Sequence, residues 1–428
     1  SVAFSPDGHT LAVGSADHTI HLWNVTHPTA IGPLGRPLTG PGNAVTDVVF
    51  SPDSRTLAAG NTDGNVDLWN LPPTRIIGAG GNVATVAFSP DGRTLAAGNQ
   101  NKTVSLWNTA DPNHPAPRGD PLTGAKGAVD AVAFSPDGRT LAAGDSGGNV
   151  TLWNTADPNH PVRLPETLTG ANGLIFSLVF SPDGHTLAAA GDDEVHGSIA
   201  LWDVSDPAHP ESGPGIANSH TKSVESLAFS RDGTMLAAGG DGSNGEVGLW
   251  SMTDPGVRIG EPIKQPATTS TWVAFSPDGR TLATGNSRGT VTLWNATDPH
   301  HLTRRGSPLT VPGGSLWSVA FSPDGHTLAA AGHTDNGTIN LWNVTDPDHP
   351  TAIGRPLTVD TGFVAVLAFS PDGHTLAATT DDGVATLWDL NVETAVSRIC
   401  AASSGALSRQ QWSRYVPQLP YDPPCVTT

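Results

Sequence analysis

Between residues 82 and 107 the apolar and polar positions alternate with a period of two, break off, and alternate again. Val83-Ala84-Thr85-Val86-Ala87-Phe88 reads as a half-buried strand, Ser89-Pro90-Asp91-Gly92 as a turn, and Thr94-Leu95-Ala96-Ala97-Gly98 as a second short strand. A polar turn leads on to Thr103-Val104-Ser105-Leu106-Trp107, so the segment predicts three antiparallel strands. A fourth strand, at the outer edge, is predicted at Arg36-Pro37-Leu38-Thr39-Gly40, Asp120-Pro121-Leu122-Thr123-Gly124 and Arg355-Pro356-Leu357-Thr358. Proline is tolerated there because an edge strand need not donate every ladder hydrogen bond.

The same pattern recurs along the chain. The phrase Phe-Ser-Pro-Asp-Gly or a near copy has its Phe at Phe4, Phe50, Phe88, Phe134, Phe180, Phe229, Phe275, Phe321 and Phe369. Leu-Trp follows each, at Trp23, Trp69, Trp107, Trp153, Trp202, Trp250, Trp294, Trp342 and Trp388, mostly 44 to 49 residues apart, so nine of the 12 tryptophans share one structural role. One such sheet cannot bury both of its faces. Stacking copies buries each against its neighbours and leaves only short, protected edges.

These residues resemble the WD40 family of β-propellers, across about nine-tenths of the chain. The pattern is not followed everywhere. Only Trp202-Asp203 and Trp388-Asp389 are literally Trp-Asp; six units read Trp-Asn, and Ser251 follows Trp250. The family's polar network joins a His, a Ser or Thr, an Asp and the Trp. Here Asp17, Asp63 and Asp382 suit the Asp position and His220 the His position, while the second strand usually carries Ala. No unit has the full set, so stability is expected to come from apolar packing. The expected fold is all-β: nine four-stranded units in residues 1–389, forming either one wide ring or a closed set of seven plus two others. Only 38 residues separate Phe50 from Phe88, and a break near 78–82 would leave seven units from Asn82 to Asp389.

After Asp389 the repeat stops, and residues 390–428 predict a short helical, Pro-rich tail. Asn391 suits a helix cap, with Val392, Ala395, Val396, Ile399 and Cys400 on one face, and Ser408 to Gln411 reads as a capping box before Trp412, Tyr415 and Val416. The chain's only cysteines, Cys400 and Cys425, both lie here and are a candidate disulfide, contributing roughly 3 kcal/mol in the chain-entropy model. A bridge would point to an oxidising, extracytoplasmic location, tethered to a membrane if a segment before Ser1 carries an anchor; reduced thiols would suit the cytoplasm. Together with the Asp-Pro-x-His-Pro insertions, repeat and tail resemble the C-terminal WD40 arrays of large bacterial regulators, where a STAND-type nucleotidase, a kinase or a helix-turn-helix module often precedes the array. That resemblance implies a sensing or docking part, with the effector upstream of Ser1.

Composition agrees with a loop-rich β protein: of 428 residues, 49 are Gly and 37 Pro. A formal net charge of −19 disfavours nucleic acid as a partner. The longest apolar runs are a few residues, well short of the roughly 20 that cross a bilayer, so direct membrane insertion is not expected.

Catalytic-looking motifs fall in turns. Gly144-Asp145-Ser146-Gly147-Gly148 and Gly285-Asn286-Ser287-Arg288-Gly289 match a nucleophile-elbow pattern, but each lies between two predicted strands, whereas an elbow leads from a strand into a helix. His114, His160, His209, His301 and His349 recur on successive units, too far apart to share one zinc ion, and read as turn residues. Asp192-Asp193-Glu194 and Asp241 to Glu246 offer oxygen ligands without EF-hand spacing. No phosphate-binding loop occurs, and no cofactor or catalytic residue is expected.

The candidate partner surface is the face formed by the residues just before each first strand and the turn after each second strand. Four positions before the repeat Phe stand Thr46, Ala84, Asp130, Phe176, Glu225, Thr271, Trp317 and Ala365. Phe176 and Trp317 stand out, joined two positions earlier in their repeats by Leu174 and Phe363. The turns after the second strand are longer in the fifth, sixth and eighth units, and Asp192, Asp193, Glu194 and Glu225 add an acidic rim. Aromatic anchors with acidic neighbours suit a protein or peptide, preferably a basic one. The expectation is a non-catalytic scaffold or sensor module. The alternatives are a metal- or ligand-binding propeller, lectin-like or enzymatic, and a purely structural array.

Overall fold

The computed structural model describes residues 1–5, 10–25, 32–33, 38–39, 44–50, 56–61, 66–70, 74–77, 83–110, 115–171, 173–191, 198–217, 223–241, 246–264, 271–311, 314–333, 338–354, 356–359, 364–380 and 384–390. The predicted tail helices, Cys400 and Cys425 lie outside the described residues, as do His114, His220, Asp63 and Asp382. Every regular element among the described residues is a strand.

The strands form nine antiparallel sheets, one per repeat. Sheet four is representative, with Val129–Phe134, Thr140–Asp145, Val150–Asn154 and Val162–Leu168 in order. Its register sets Phe134 opposite Leu141 and Leu141 opposite Trp153, so the three repeat markers line up across one face. Phe-Leu-Trp alignment recurs as Phe88, Leu95 and Trp107 in sheet three and as Phe369, Leu376 and Trp388 in sheet nine.

Four strands per sheet is not uniform. In sheets one, five and eight the outer edge is two short segments on the same third strand, such as Glu211–Ser212 and Ile216–Ala217 on Ser198–Asp203. The Gly213-Pro214-Gly215 interruption accounts for the break in sheet five, since Pro214 has no N–H to donate. Sheet two has three strands among the described residues, Val45–Phe50, Thr56–Asn61 and Val66–Asn70.

The chain divides into two compact units, Ser1–Pro73 with Leu390–Thr428, and Thr74–Asp389. In the first, Ala12, Ile20 and Leu22 of sheet one share a core with Val45, Val48, Phe50, Leu57 and Ala59 of sheet two. In the second, each sheet packs its Ala/Val/Leu face on the Val/Phe/Leu/Trp face of the next: Ala96, Val104 and Leu106 meet Val129, Val132, Leu141 and Trp153. Pairing a small-residue face with a large-residue face is what lets two sheets interdigitate closely. The strand Thr74–Ile77 does not pair with sheet two, which it follows in sequence. It forms the outer edge of sheet nine, Leu387 opposite Thr74 and Val384 opposite Ile77. Val83, Val86 and Leu95 of sheet three share a core with Ala377, Ala385 and Leu387 of the same sheet nine.

The recurring Ser-Pro-Asp-Gly turn has a local cause. Ser135 Oγ donates to Asp137 Oδ1 at 2.6 Å and accepts from Thr140 N–H at 2.9 Å, while Asp137 Oδ1 also accepts from Arg139 N–H at 3.0 Å. Gly138, at φ 71°, closes the turn by donating to the Ser135 carbonyl. The same bonds recur around Ser89, Ser181, Ser230, Ser276, Ser322 and Ser370. At Asp183 and Asp232 the serine hydroxyl is the main cause of a carboxyl held below its ordinary range. At Asp91, Asp137, Asp278, Asp324 and Asp372 partial burial pushes upward and is outweighed by the same hydroxyl and the backbone donor.

Of the repeat tryptophans, Trp107, Trp153, Trp202, Trp250, Trp342 and Trp388 are buried, and Trp23 and Trp294 are half-buried. Trp69 lies on the third strand of sheet two. Where sheet seven has Thr284 in place of the usual Ala, Trp294 Nε1 donates to Thr284 Oγ1 at 2.9 Å, a polar tie that an alanine there cannot make. Asp17 instead accepts from Thr19 N–H and Oγ within its own turn.

Candidate functional site

The residue four places before the repeat Phe has a distinct backbone setting. In the first strand of sheets two to six, eight and nine the ladder slips at that residue: between Ile175 and Ser177 the register passes over Phe176, between Val224 and Ser226 over Glu225, and between Leu316 and Ser318 over Trp317. The same slip passes over Ala84, Asp130, Ala365 and Thr46. Each is the extra residue of a β-bulge, a device that takes a side chain out of the alternating pattern and re-aims it. Phe176 is accordingly 38% and Trp317 42% exposed although both lie on inner strands, and Glu225 is half-buried. Leu174, just before its strand, is also half-buried. Phe363, Asp192, Asp193 and Glu194 lie outside the described residues.

Sheet seven is the exception. Its first strand, Thr271–Phe275, keeps an unbroken register, with Thr271 opposite Asn286 and Trp272 opposite Gly285. Thr271 is therefore buried, and the aromatic side chain comes one position later. Trp272 stacks on Trp317 of the next sheet, ring centroids 6.2 Å apart and planes inclined by 21°, an offset arrangement favoured by the ring quadrupoles. Trp272 is the functional candidate that sequence reasoning missed. It is one of the three tryptophans left over once the repeat has claimed its nine, and it escapes notice because its strand lacks the bulge.

The four consecutive sheets five to eight thus carry Phe176, Glu225, Trp272 and Trp317 on their first strands. Hydroxyls beside the bulges tie the first strands of sheets five and six, of six and seven, and of eight and nine. Ser177 Oγ accepts from Leu227 N–H at 3.1 Å, Ser226 Oγ from Val273 N–H at 3.1 Å, and Ser318 Oγ from Leu367 N–H at 3.1 Å. Trp317 and Trp272 are brought into contact, and Phe176 stands three sheets from Trp317.

Asp130 holds the bulge position of sheet four. Burial, and secondarily the charge of Asp145, push its pKa up to about 6, and its Oδ2 is buried without a hydrogen-bond partner among the described residues. Asp145 goes the other way. Its burial is outweighed by hydrogen bonds from the Asn149 side chain, from the backbone N–H groups of Asn149 and Gly147 on Oδ1, and from those of Lys126 and Gly127 on Oδ2.

That web explains the Gly144–Gly148 motif. Gly148 sits at φ 75°, and an added Cβ would collide with the Ala171 carbonyl. Ser146 stands on a turn that enters the strand Val150–Asn154 rather than a helix, as Ser287 stands before Thr290–Asn295. The recurrent histidines close their own turns: Nδ1 of His160, His209, His301 and His349 lies 2.8, 3.0, 3.2 and 2.9 Å from the carboxylate three residues earlier. Hydrogen bonding to Asp206 and Asp346 raises the pKa of His209 and His349. Among the described residues no group of three or more His, Cys, Asp or Glu could hold a metal ion, and no helix is long and apolar enough to cross a membrane.

Comparison with curated proteins finds no match. The family model described as WD domain, G-beta repeat matches nine times, at residues 1–24, 32–70, 72–108, 119–154, 163–203, 215–251, 266–295, 306–343 and 354–389. The match at 72–108 takes in Thr74–Ile77, the strand that the fold gives to sheet nine. With these matches extending over nearly its whole length, the chain belongs to the WD40 repeat family.

Proposed function

We propose that Thr74–Asp389 is a closed seven-bladed propeller that acts as a non-catalytic scaffold, binding a protein or peptide at the arc of Phe176, Glu225, Trp272 and Trp317. WD40 domains commonly serve as protein-interaction scaffolds, which supports the class of function. Pairing of Thr74–Ile77 with Val384–Asp389, and the core that sheet three shares with sheet nine, support closure. Closure matters for function because a ring has no free face, and its rim is then held rigidly enough to bind without reorganising.

The observation that carries the reading is the stacked Trp272–Trp317 pair, aromatic surface left open to solvent beside a bulge. Indoles stacked in advance lose little conformational freedom when they are covered, which is what binding hot spots require. Glu225 on the rim and the net charge of −19 favour a partner with basic side chains, chiefly through faster encounter. The phrasing of the repeats supports a place as the sensing or docking part of a larger bacterial regulatory protein.

The test is selection of a displayed random-peptide library on the chain, with counter-selection on a Trp272→Ala/Trp317→Ala variant. Enriched peptides should carry Lys or Arg, and Phe176→Ala or Trp317→Ala should each weaken them by roughly tenfold or more, as hot-spot residues do. Peptides that bind these variants as well as the parent would overturn the assignment.

A further inference from the structure

In sheets eight, nine, three and four the bulge residues of the first strands are Trp317, Ala365, Ala84 and Asp130. These four sheets follow one another in space. Leu367 N–H of sheet nine donates to Ser318 Oγ of sheet eight, Thr379 Oγ1 of sheet nine reaches the Ala84 carbonyl of sheet three at 3.4 Å, and sheet three shares a core with sheet four. At the far end of the same strands their spacing is regular. A Cβ added to Gly373, Gly92 or Gly138 would lie 3.6, 3.4 or 3.3 Å from Pro323, Pro371 or Pro90 of the sheet before, against 3.5 Å for Gly184 and Pro136. What changes at this part of the rim is therefore side-chain size. Between Trp317 and Asp130 stand two half-buried alanines, where sheets five to seven carry Phe176, Glu225 and Trp272, and they leave a notch.

Both ends of the notch favour one kind of group. Trp272 stacks on Trp317 from sheet seven, but toward sheet nine the next rim residue is Ala365, too small to cover an indole, and Trp317 stays 42% exposed. The face of an indole attracts a cation through its ring quadrupole. Asp130 lies beside a second carboxylate, Asp145, and its Oδ2 has no hydrogen-bond partner among the described residues. Lys126, the cation nearest to it in sequence, places Nζ 3.5 Å from Asn149 Oδ1. A guanidinium is flat, so it stacks on an aromatic plane while its N–H groups point sideways to a carboxylate; a compact, strongly hydrated ammonium does not combine the two. A neutral ring would stack on Trp317 but give Asp130 no counter-charge.

We infer that the notch over Ala365 and Ala84 binds a guanidinium group, the end of an arginine side chain, between the exposed indole of Trp317 and the carboxylate of Asp130. The inference rests on the closed ring proposed above and narrows its basic partner to one that presents arginine. The two alanine methyls form an apolar floor on which the stem of such a side chain can lie. The group has two sources, an arginine within a peptide and the free amino acid, and they differ in the charges at the α-carbon.

The probes are Nα-acetyl-arginine amide, its lysine and citrulline counterparts, and L-arginine. Each is titrated in the millimolar range into the isotope-labelled full chain and followed by the indole N–H signals in NMR, that of Trp317 being assigned from Trp317→Phe. The arginine amide should move the Trp317 signal to saturation, and the lysine and uncharged citrulline amides should bind roughly tenfold more weakly. Tighter binding of L-arginine than of the blocked residue would support the site and make the free amino acid its ligand. Asp130→Asn, which keeps the side-chain volume, should weaken the arginine amide by roughly tenfold. Ala365→Phe should fill the notch and abolish binding; sheet five holds Phe176 at the same bulge, so the fold should be kept, as circular dichroism would verify. No saturable shift with the arginine amide, equal binding of the citrulline amide, or undiminished binding by Asp130→Asn or by folded Ala365→Phe would each overturn the inference. Because these probes carry no peptide chain, the result is separate from the library selection. Selected peptides that need Trp272 and Trp317 but ignore Ala365→Phe would leave the scaffold reading standing and remove the notch from it.

Discussion

Asp130 offers the sharpest quantitative test of the rim. Its carboxyl is half-buried beside Asp145, one oxygen lacks a hydrogen-bond partner among the described residues, and its pKa is pushed up from 3.8 to about 6. A folded-state pKa above the unfolded one means that this group's contribution is fully present below pH 3.8 and is lost as pH rises through about 6. At about 1.4 kcal/mol per pKa unit, a rise of some two units corresponds to ~3 kcal/mol in a water-free site. Solvent reaches much of the side chain, so about 1 kcal/mol is the working figure. Asp130→Asn keeps the shape and removes the charge. It should therefore stabilise the protein by about 1 kcal/mol at pH 7.5, a rise in Tm of about 2 °C, and leave stability unchanged near pH 3.5, where the parent carboxyl is already protonated. Calorimetry at the two pH values, with a carboxyl-carbon NMR titration of Asp130, reads both quantities. A variant less stable at pH 7.5, or a gain that persists unchanged in acid, would refute the reasoning by showing that the ionised carboxylate is stabilised in place. A basic peptide bound nearby should lower the Asp130 pKa in the same titration.

Other outcomes follow from single contacts. Thr284→Ala leaves the Trp294 N–H without its acceptor and should cost about 1–2 kcal/mol in urea denaturation, while Thr284→Ser should recover most of it. Trp153→Ala removes one of the largest fully buried side chains and should cost about 3–5 kcal/mol by the same measurement. The depressed carboxyls of the Ser-Pro-Asp-Gly turns, Asp183 and Asp232 among them, contribute stability above pH 3.8 that is lost as pH falls through their lower folded values. Acid unfolding followed by tryptophan fluorescence should thus begin below about pH 4, and Ser181→Ala should move it to higher pH. Gly148→Ala should destabilise by more than about 1 kcal/mol, because it adds strain at a positive φ to a collision with the Ala171 carbonyl.

What could be read from residues alone was whatever a few neighbouring residues decide. Alternation around Phe88, the Ser-Pro-Asp-Gly turn and the spacing to Leu-Trp are local, so strand positions, sheet order within a repeat and the alignment of Phe, Leu and Trp were legible in the chain itself. Phe176 and Trp317 could be singled out because large aromatics occupied a position that tolerates small polar residues. That they sit on bulges, and that Trp272 lies against Trp317, depended on the register of each strand against its partner, which no single strand encodes. Thr74–Ile77 reads in sequence as the edge of the sheet before it, yet it pairs with Val384–Asp389, and Thr379 Oγ reaches the Ala84 carbonyl across 295 positions. A short edge strand carries almost no information about its partner, and the face that lacks a neighbour decides where it goes.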